Sequence, residues 1–253
     1  MALELVHNFI LIHDDLMDGS ELRRGEPTLA RRMALLLREG VSGGFSGNDM
    51  AMVAGDMLYT MAMDSLMGTE SDAERIVAAM RACMKSAMDT GRGALLEAKA
   101  AQADMGELKL DWIEMVYALK TGSYTFSLPA KLASIFAPAK ADFPFDEFGK
   151  HAGVAYQLKN DRASMSHWLG GGAVPDDVRD QRRTWAAVWA WHAVAEERRE
   201  LFVGSPGEDL KRLYRDCGAM DAMAAAARLH ATTAMELAPS EEIAGYLAEA
   251  LAV

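Results

Sequence analysis

The chain is 253 residues long, 51% hydrophobic and 25% charged, with a formal net charge of −11. That length supports a sizeable core in one large domain or two small ones, and the acidic balance argues against nucleic acid or an anionic membrane as a general partner. Two cysteines without metal-ligand spacing, Cys83 and Cys217, read as buried free thiols; with no apolar run of the ~18–20 residues that span a membrane, and no basic leader at the start, the expected location is the cytoplasm.

Alanine, leucine, methionine and charged residues dominate, and period-2 alternation of β-branched residues is missing, so an all-α fold is expected. The first helix is expected near 2–18. Its apolar part, Leu3 to Ile12, leads straight into Asp14-Asp15-Leu16-Met17-Asp18. Carboxylates at a helix C-terminus oppose the macrodipole at a cost of about 0.3–1 kcal/mol each. Something should offset them, and a divalent cation is the simplest candidate. Asp14 and Asp18 stand at i and i+4 on one face, with His7 two turns earlier. Side-by-side hard oxygens suit Mg²⁺, which takes one or two protein carboxylates and completes its shell with phosphate and water. Arg23 and Arg24 follow, and a guanidinium matches phosphate oxygens bidentately. Gly25 and Pro27 should end the helix and hold the arginines in a tight turn.

Further helices are expected near 28–39, 49–68, 72–90, 91–105, 111–136, 144–166, 180–203, 207–217, 219–236 and 241–251, punctuated by Gly43-Gly44, Pro129, Pro138, Pro144, Gly170-Gly171-Gly172, Pro175 and Ser205-Pro206. Thr28 is placed to cap the second helix and Asp49 to begin the third. Ser71 with Glu74 reads as a capping box, and Asp111 with Glu114 as an acidic version of it. Short loops favour antiparallel neighbours, a helical bundle in a single domain across residues 1–253. His13 reads as a polar residue satisfied within its helix. His151, His167, His192 and His230 share no metal-ligand spacing. Trp185 and Trp189, one turn apart, read as packing residues. The run Glu196-Glu197-Arg198-Arg199-Glu200 reads as a solvated face.

The segment His7-Asn8-Phe9-Ile10-Leu11-Ile12-His13-Asp14-Asp15-Leu16-Met17-Asp18, followed by Arg23-Arg24-Gly25-Glu26-Pro27-Thr28, resembles the first aspartate-rich motif of the trans-isoprenyl diphosphate synthases. Other blocks follow in that family's order. Gly47 to Leu58 resembles the segment after the motif, and Leu119-Lys120-Thr121-Gly122 its lysine-threonine turn. Gly153-Val154-Ala155-Tyr156-Gln157-Leu158 resembles the lead-in to its second aspartate-rich motif, and Asp177 to Thr184 the basic stretch beyond. The resemblance covers most of residues 1–185. It implies an isoprenoid synthase fold, long mostly antiparallel helices around a central apolar cavity, usually as a homodimer. It also implies Mg²⁺-dependent condensation of an allylic isoprenyl diphosphate with isopentenyl diphosphate. By the same resemblance Asp14 and Asp18 are the metal ligands and Asp15 supports them. Arg23 binds the allylic diphosphate, and His7 and Arg24 face isopentenyl diphosphate. Lys120, Thr121 and Gln157 lie near the leaving group and the developing carbocation, and Arg182 reaches the diphosphate. Phe9 stands five residues before the first aspartate, where bulk limits product length; its ring implies a medium-chain product of about C15–C20.

Two departures from the family pattern matter. The second motif should be a carboxylate cluster at Asn160, Asp161 and Ser164, yet only Asp161 is acidic. Mg²⁺ prefers carboxylate oxygen, so a weakened third metal position is expected, with Lys159 or Arg162 supplying part of the lost positive charge. Asn160 and Ser164 also match the opening of the metal motif of class I terpene cyclases, whose third ligand would fall on Trp168. This leaves an alternative, an enzyme that ionises a single allylic diphosphate. The other departure is at the front. Relatives carry helices before the first motif with a Gly-Gly-Lys-Arg segment, whereas six residues precede His7 here. The expectation is either a fragment or a natural variant with a poor acceptor site, the latter including a non-catalytic partner of a full-length synthase.

Overall fold

The computed structural model describes residues 1–37, 44–138, 142–203 and 206–252. Among the described residues the protein is all-α apart from one minimal hairpin. Its contacts group into two compact units, Met1–Ala87 with Lys131–Lys140, and Met88–Ala130 with Ala141–Val253.

In the first unit, α1 (Ala2–Asp18) closes on Gly19, whose φ is 61°. The Ser20 N–H reaches the Asp15 carbonyl at 2.9 Å, completing a Schellman motif. The helix therefore ends at Gly19, not at Gly25 and Pro27. The residues expected as a simple turn form a hairpin. β1 (Leu22–Arg23) pairs antiparallel with β2 (Glu26–Pro27), Arg23 opposite Glu26. Arg24 and Gly25 between them have φ 53° and 82°, the requirement of a type I′ turn. α2 (Leu29–Leu36) starts at Thr28, whose Oγ1 accepts from the Arg31 N–H, as expected. Residues 38–39 of the expected helix, and Gly43, lie outside the described residues. α3 (Gly47–Met67) is capped by Ser46 rather than begun at Asp49, whose carboxylate closes a capping box back onto Ser46. α1 buries Val6 and Ile10, and α3 buries Ala51, Ala62 and Leu66. A Cβ on Gly55 of α3 would lie 2.5 Å from the His13 ring. α4 (Ala73–Gln102) is capped by Asp72, not Ser71, through a 2.9 Å bond from the Arg75 N–H. It runs unbroken where two helices were expected; its second half belongs to the second unit.

The expected helix 111–136 is three joined segments: α5 (Leu110–Tyr117), a π-helix (Ala118–Ser127) and α6 (Leu128–Phe136). Pro129 falls in the first turn of α6, where a missing N–H is tolerated. The acidic capping box at α5 does not form; Asp111 accepts from the adjacent Trp112 N–H at 2.8 Å instead. α7 (Phe145–Leu169) is followed by α8 (Asp176–Arg179), α9 (Trp185–Ala193) and a 3₁₀ helix (Glu196–Phe202). The single helix expected over 180–203 is thus broken, first at Gln181, with φ 54°, and again at extended Val194. α10 (Glu208–Asp216), α11 (Ala219–Glu236) and α12 (Glu241–Ala250) complete the second unit; Ser205 lies outside the described residues. Its core gathers Ile113, Val154, Leu158, Trp168, Val188 and Leu213. Trp185 stacks on Trp189 at 5.4 Å and 7°, as packing residues should. Arg199 lies over the Trp191 ring, so the charged run there is not a purely solvated face. Cys83 is buried but Cys217 only half-buried. The histidines assigned no role include a pair that ties α7 to α11. His151 Nδ1 and His230 Nδ1 are 2.9 Å apart, with Glu147 3.0 Å from His151 Nε2 and Glu114 3.6 Å from His230 Nε2.

Candidate functional site

The last turn of α1 holds Asp14, Asp15 and Asp18. The hairpin brings Arg23 back over two of them, with Nε 2.7 Å from Asp15 Oδ1 and Nη2 2.9 Å from Asp14 Oδ2. The side chain of Asp15 is buried, while those of Asp14 and Arg23 are partly exposed. Burial pushes the Asp15 carboxyl up, Arg23 pulls it back, and Asp14 and Asp18 push it up again. An arginine therefore supplies the charge that this helix end requires. Asp14 and Asp18 set two carboxylates one turn apart on the same face, a donor type that fits Mg²⁺ bound through one or two carboxylates plus substrate oxygens. Among the described residues, no three or more His, Cys, Asp or Glu side chains form a metal cage; that mode of binding does not need one. His7 and Phe9 stand half-buried further up α1. The Phe9 ring packs on Tyr59 at 5.0 Å and on His13 at 4.7 Å. His13 donates from Nδ1 to the Phe9 carbonyl at 3.0 Å, and its Nε2 lies 3.3 Å from Asp56, so it is satisfied as expected. Arg24 is exposed at the hairpin turn.

In the second unit four glycines let three helices touch at backbone distance. A Cβ on Gly93 of α4 would lie 2.6 Å from the Lys120 nitrogen. One on Gly122 of the π-helix would lie 2.4 Å from the Gly149 carbonyl oxygen of α7, and one on Gly153 of α7 2.3 Å from the Gly122 Cα. This close packing sets Lys120 and Thr121 in place. Lys120 Nζ donates to Glu97 at 2.7 Å, one turn after Gly93 on α4. Thr121 Oγ1 donates to Gln157 Oε1 at 3.4 Å, and Gln157 Nε2 donates to Asp161 Oδ1 at 2.8 Å. The Tyr117 hydroxyl donates to Asp161 Oδ2 and accepts the Trp185 backbone N–H at 3.2 Å. Burial pushes the Asp161 carboxyl up to about 7, opposed by its two donors and reinforced by Asp177 and Glu97.

Asp161 faces inward while Asn160 and Ser164 are exposed, so α7 divides the positions expected to share a metal. Trp168, where the cyclase motif would need an oxygen, is fully buried in the core. Lys159 does not lend its charge to the motif: its Nζ donates to the Ala250 carbonyl at the end of α12, at 2.7 Å. Arg162 has its Nε buried without a hydrogen-bond partner among the described residues. Arg182 is half-buried, with Nε 3.6 Å from Asp177 and Nη2 3.9 Å from Asp180. The motifs did not single out Glu97 or Tyr117. The available signals were faint: Gly93 and Glu97 at i, i+4, and a tyrosine one helical turn before Lys120.

A family model described as polyprenyl synthetase matches residues 1–215. The chain is 28% identical to a geranylgeranyl pyrophosphate synthase of Geoglobus acetivorans, over 87% of this chain and 66% of that protein. It is 30% identical to a (2E,6E)-farnesyl diphosphate synthase of Mycobacterium bovis, over 75% of this chain and 49% of that protein. It therefore spans about half to two thirds of the length of these curated relatives. The crystal structure of a geranylgeranyl pyrophosphate synthase from Corynebacterium glutamicum, complexed with isoprenyl diphosphate and magnesium, superposes with a TM-score of 0.82. It is 22% identical, covering 99% of this chain and 76% of that one.

Proposed function

We propose that this chain, which belongs to the polyprenyl synthetase family, is an Mg²⁺-dependent prenyltransferase. As one such domain acting in the cytoplasm, it condenses an allylic isoprenyl diphosphate with isopentenyl diphosphate to a medium-chain product. The observation that carries this is the end of α1, where Arg23 grips Asp14 and Asp15 while Asp18 stands one turn on. Asp14 and Asp18 would hold the metal and Asp15 the arginine. Mg²⁺, when bound, supplies the positive charge that lets a diphosphate depart. Arg23 binds the allylic diphosphate by its planar fork, and His7 and Arg24 bind that of isopentenyl diphosphate. Lys120, oriented by Glu97, and Arg182 present further cations to the leaving group. Thr121 and Gln157 face the developing carbocation. Asn160 and Ser164 offer neutral oxygens to a weakened further metal position. Apolar walls that include Phe9 exclude water, which would otherwise quench the cation.

The same reading includes a homodimer. α3 exposes Met50, Val53, Met57 and Met61 at helical spacing, a stripe that marks an interaction surface.

Incubation with Mg²⁺, isopentenyl diphosphate and C5, C10 or C15 allylic diphosphates should give an elongated diphosphate by mass spectrometry. Absence of any elongated product with all three allylic diphosphates would overturn the reading.

A further inference from the structure

Four hydrogen bonds of the second unit form one directed chain. The Trp185 N–H donates to Tyr117, the Tyr117 O–H to Asp161, the Gln157 amide N–H to Asp161, and the Thr121 O–H to Gln157. Every proton points toward a single carboxylate. An ionised carboxylate can only accept, and a tyrosine has one proton to give. The Gln157 amide is therefore fixed with its nitrogen toward Asp161 and its oxygen toward Thr121. That oxygen takes the Thr121 proton, and the lone pairs of Thr121 are left for another partner. A cationic centre is stabilised by a lone pair and opposed by an O–H proton, so this polarity has chemical content.

We infer that Asp161 and Tyr117 are positioning residues that set the polarity of Gln157 and Thr121, and that Asp161 does not ligate metal in this chain. The inference rests on the prenyltransferase reading for its catalytic consequence, though not for the hydrogen-bond directions themselves. Replacing Asp161 by asparagine is the discriminating change. Its amide can donate to Gln157, which allows the Gln157 amide to flip. The flipped amide then donates to Thr121, and the Thr121 proton turns outward. Tyr117→Phe removes the donor that anchors the far carboxylate oxygen, together with the acceptor of the Trp185 N–H.

Three measurements on the full chain test it. In steady-state assays, Asp161→Asn should lower kcat by about tenfold to a hundredfold, with the KM of both diphosphates within about twofold. Tyr117→Phe should move kcat in the same direction by less. Manganese bound in the presence of inorganic diphosphate, counted by electron paramagnetic resonance, should be unchanged in Asp161→Asn; loss of one ion would overturn the inference. The Gln157 side-chain amide, assigned in ¹H–¹⁵N spectra by its loss in Gln157→Glu, should shift in both variants. An unmoved resonance would overturn the inference even if no substrate is turned over. A wild-type chain that elongates nothing, with the amide nevertheless shifted in the two variants, would instead sink the prenyltransferase reading alone.

Discussion

At the end of α1, Arg23 pairs with Asp14 and Asp15, and Asp14 and Arg23 remain partly open to solvent. Around the π-helix, Asp161 is buried, and Tyr117, Gln157 and Thr121 are bonded to it or to each other. The chemistry of the side chains is similar, but the energetics differ. The Arg23–Asp14 pair is part-exposed and worth about 1 kcal/mol or less, so Arg23 can exchange that carboxylate for a diphosphate at little cost while buried Asp15 keeps hold of the arginine. Removing a partner from a buried carboxylate costs about 1–3 kcal/mol, so the second cluster cannot trade partners in that way. Groups that must meet a ligand are loosely paired, and groups that hold others in place are locked.

The strongest test of this contrast is Asp14→Asn with Asp18→Asn. Prenyl transfer should fall about a thousandfold in kcat/KM. Folding stability, measured by urea denaturation, should hold or rise slightly, because two charges opposing the helix dipole are gone. Gly153→Ala should do the reverse, unfolding more than it silences. Its new methyl must displace the Gly122 backbone, 2.3 Å away, at about 3 kcal/mol. Gly91→Ala, on α4 with open space around it, should instead stabilise by about 1 kcal/mol. Equal effects at the two glycines would show that the contact is not real. Arg23→Lys should raise the allylic KM about tenfold through loss of the planar fork, while its thermal midpoint moves by less than about 1 kcal/mol equivalent.

The smallest effect concerns pH. Burial, ahead of the neighbouring charges, holds His151 below its ordinary value, while Glu147, Lys150, His230 and Glu114 face the pair. The unfolded chain then binds the proton first, so stability is lost as pH falls below about 6.5. Glu114 and Glu147 are held below their ordinary values and add a further loss nearer the carboxylate range. A His151→Gln variant should flatten the upper part of this decline in urea midpoints taken at several pH values.

What the sequence makes legible is local. α11 spans 219–236 as read, and α1 ends within its aspartates as read. Asp14, Asp18 and Arg23 stand out because their meaning lies in spacing of a few residues. The hairpin was missed because Arg24, rather than Asn, Asp or Gly, occupies the first left-handed turn position. α4 runs unbroken across the boundary expected between residues 90 and 91, and Gly93 beyond it serves a close approach to Lys120 that only the fold reveals. The break in 180–203 hides among good helix formers. The Glu97–Lys120 and Tyr117–Asp161 pairs join residues far apart in the chain, so no window of sequence contains them. The Trp185–Trp189 stack was visible as a spacing, but the Trp185 bond to Tyr117 was not.

The π-helix of residues 118–127 has a consequence for how this protein can vary. Its wide winding holds more residues per turn than an α-helix, which advances about 100° per residue. Deleting one amino acid there would let the segment rewind as an α-helix over about the same number of turns, so the flanking helices could keep their facing while Lys120 and Thr121 are carried to new directions. Loops absorb such length changes; this stretch would convert them into a displacement of its own side chains, so its residue count is under the same constraint as its lysine and threonine.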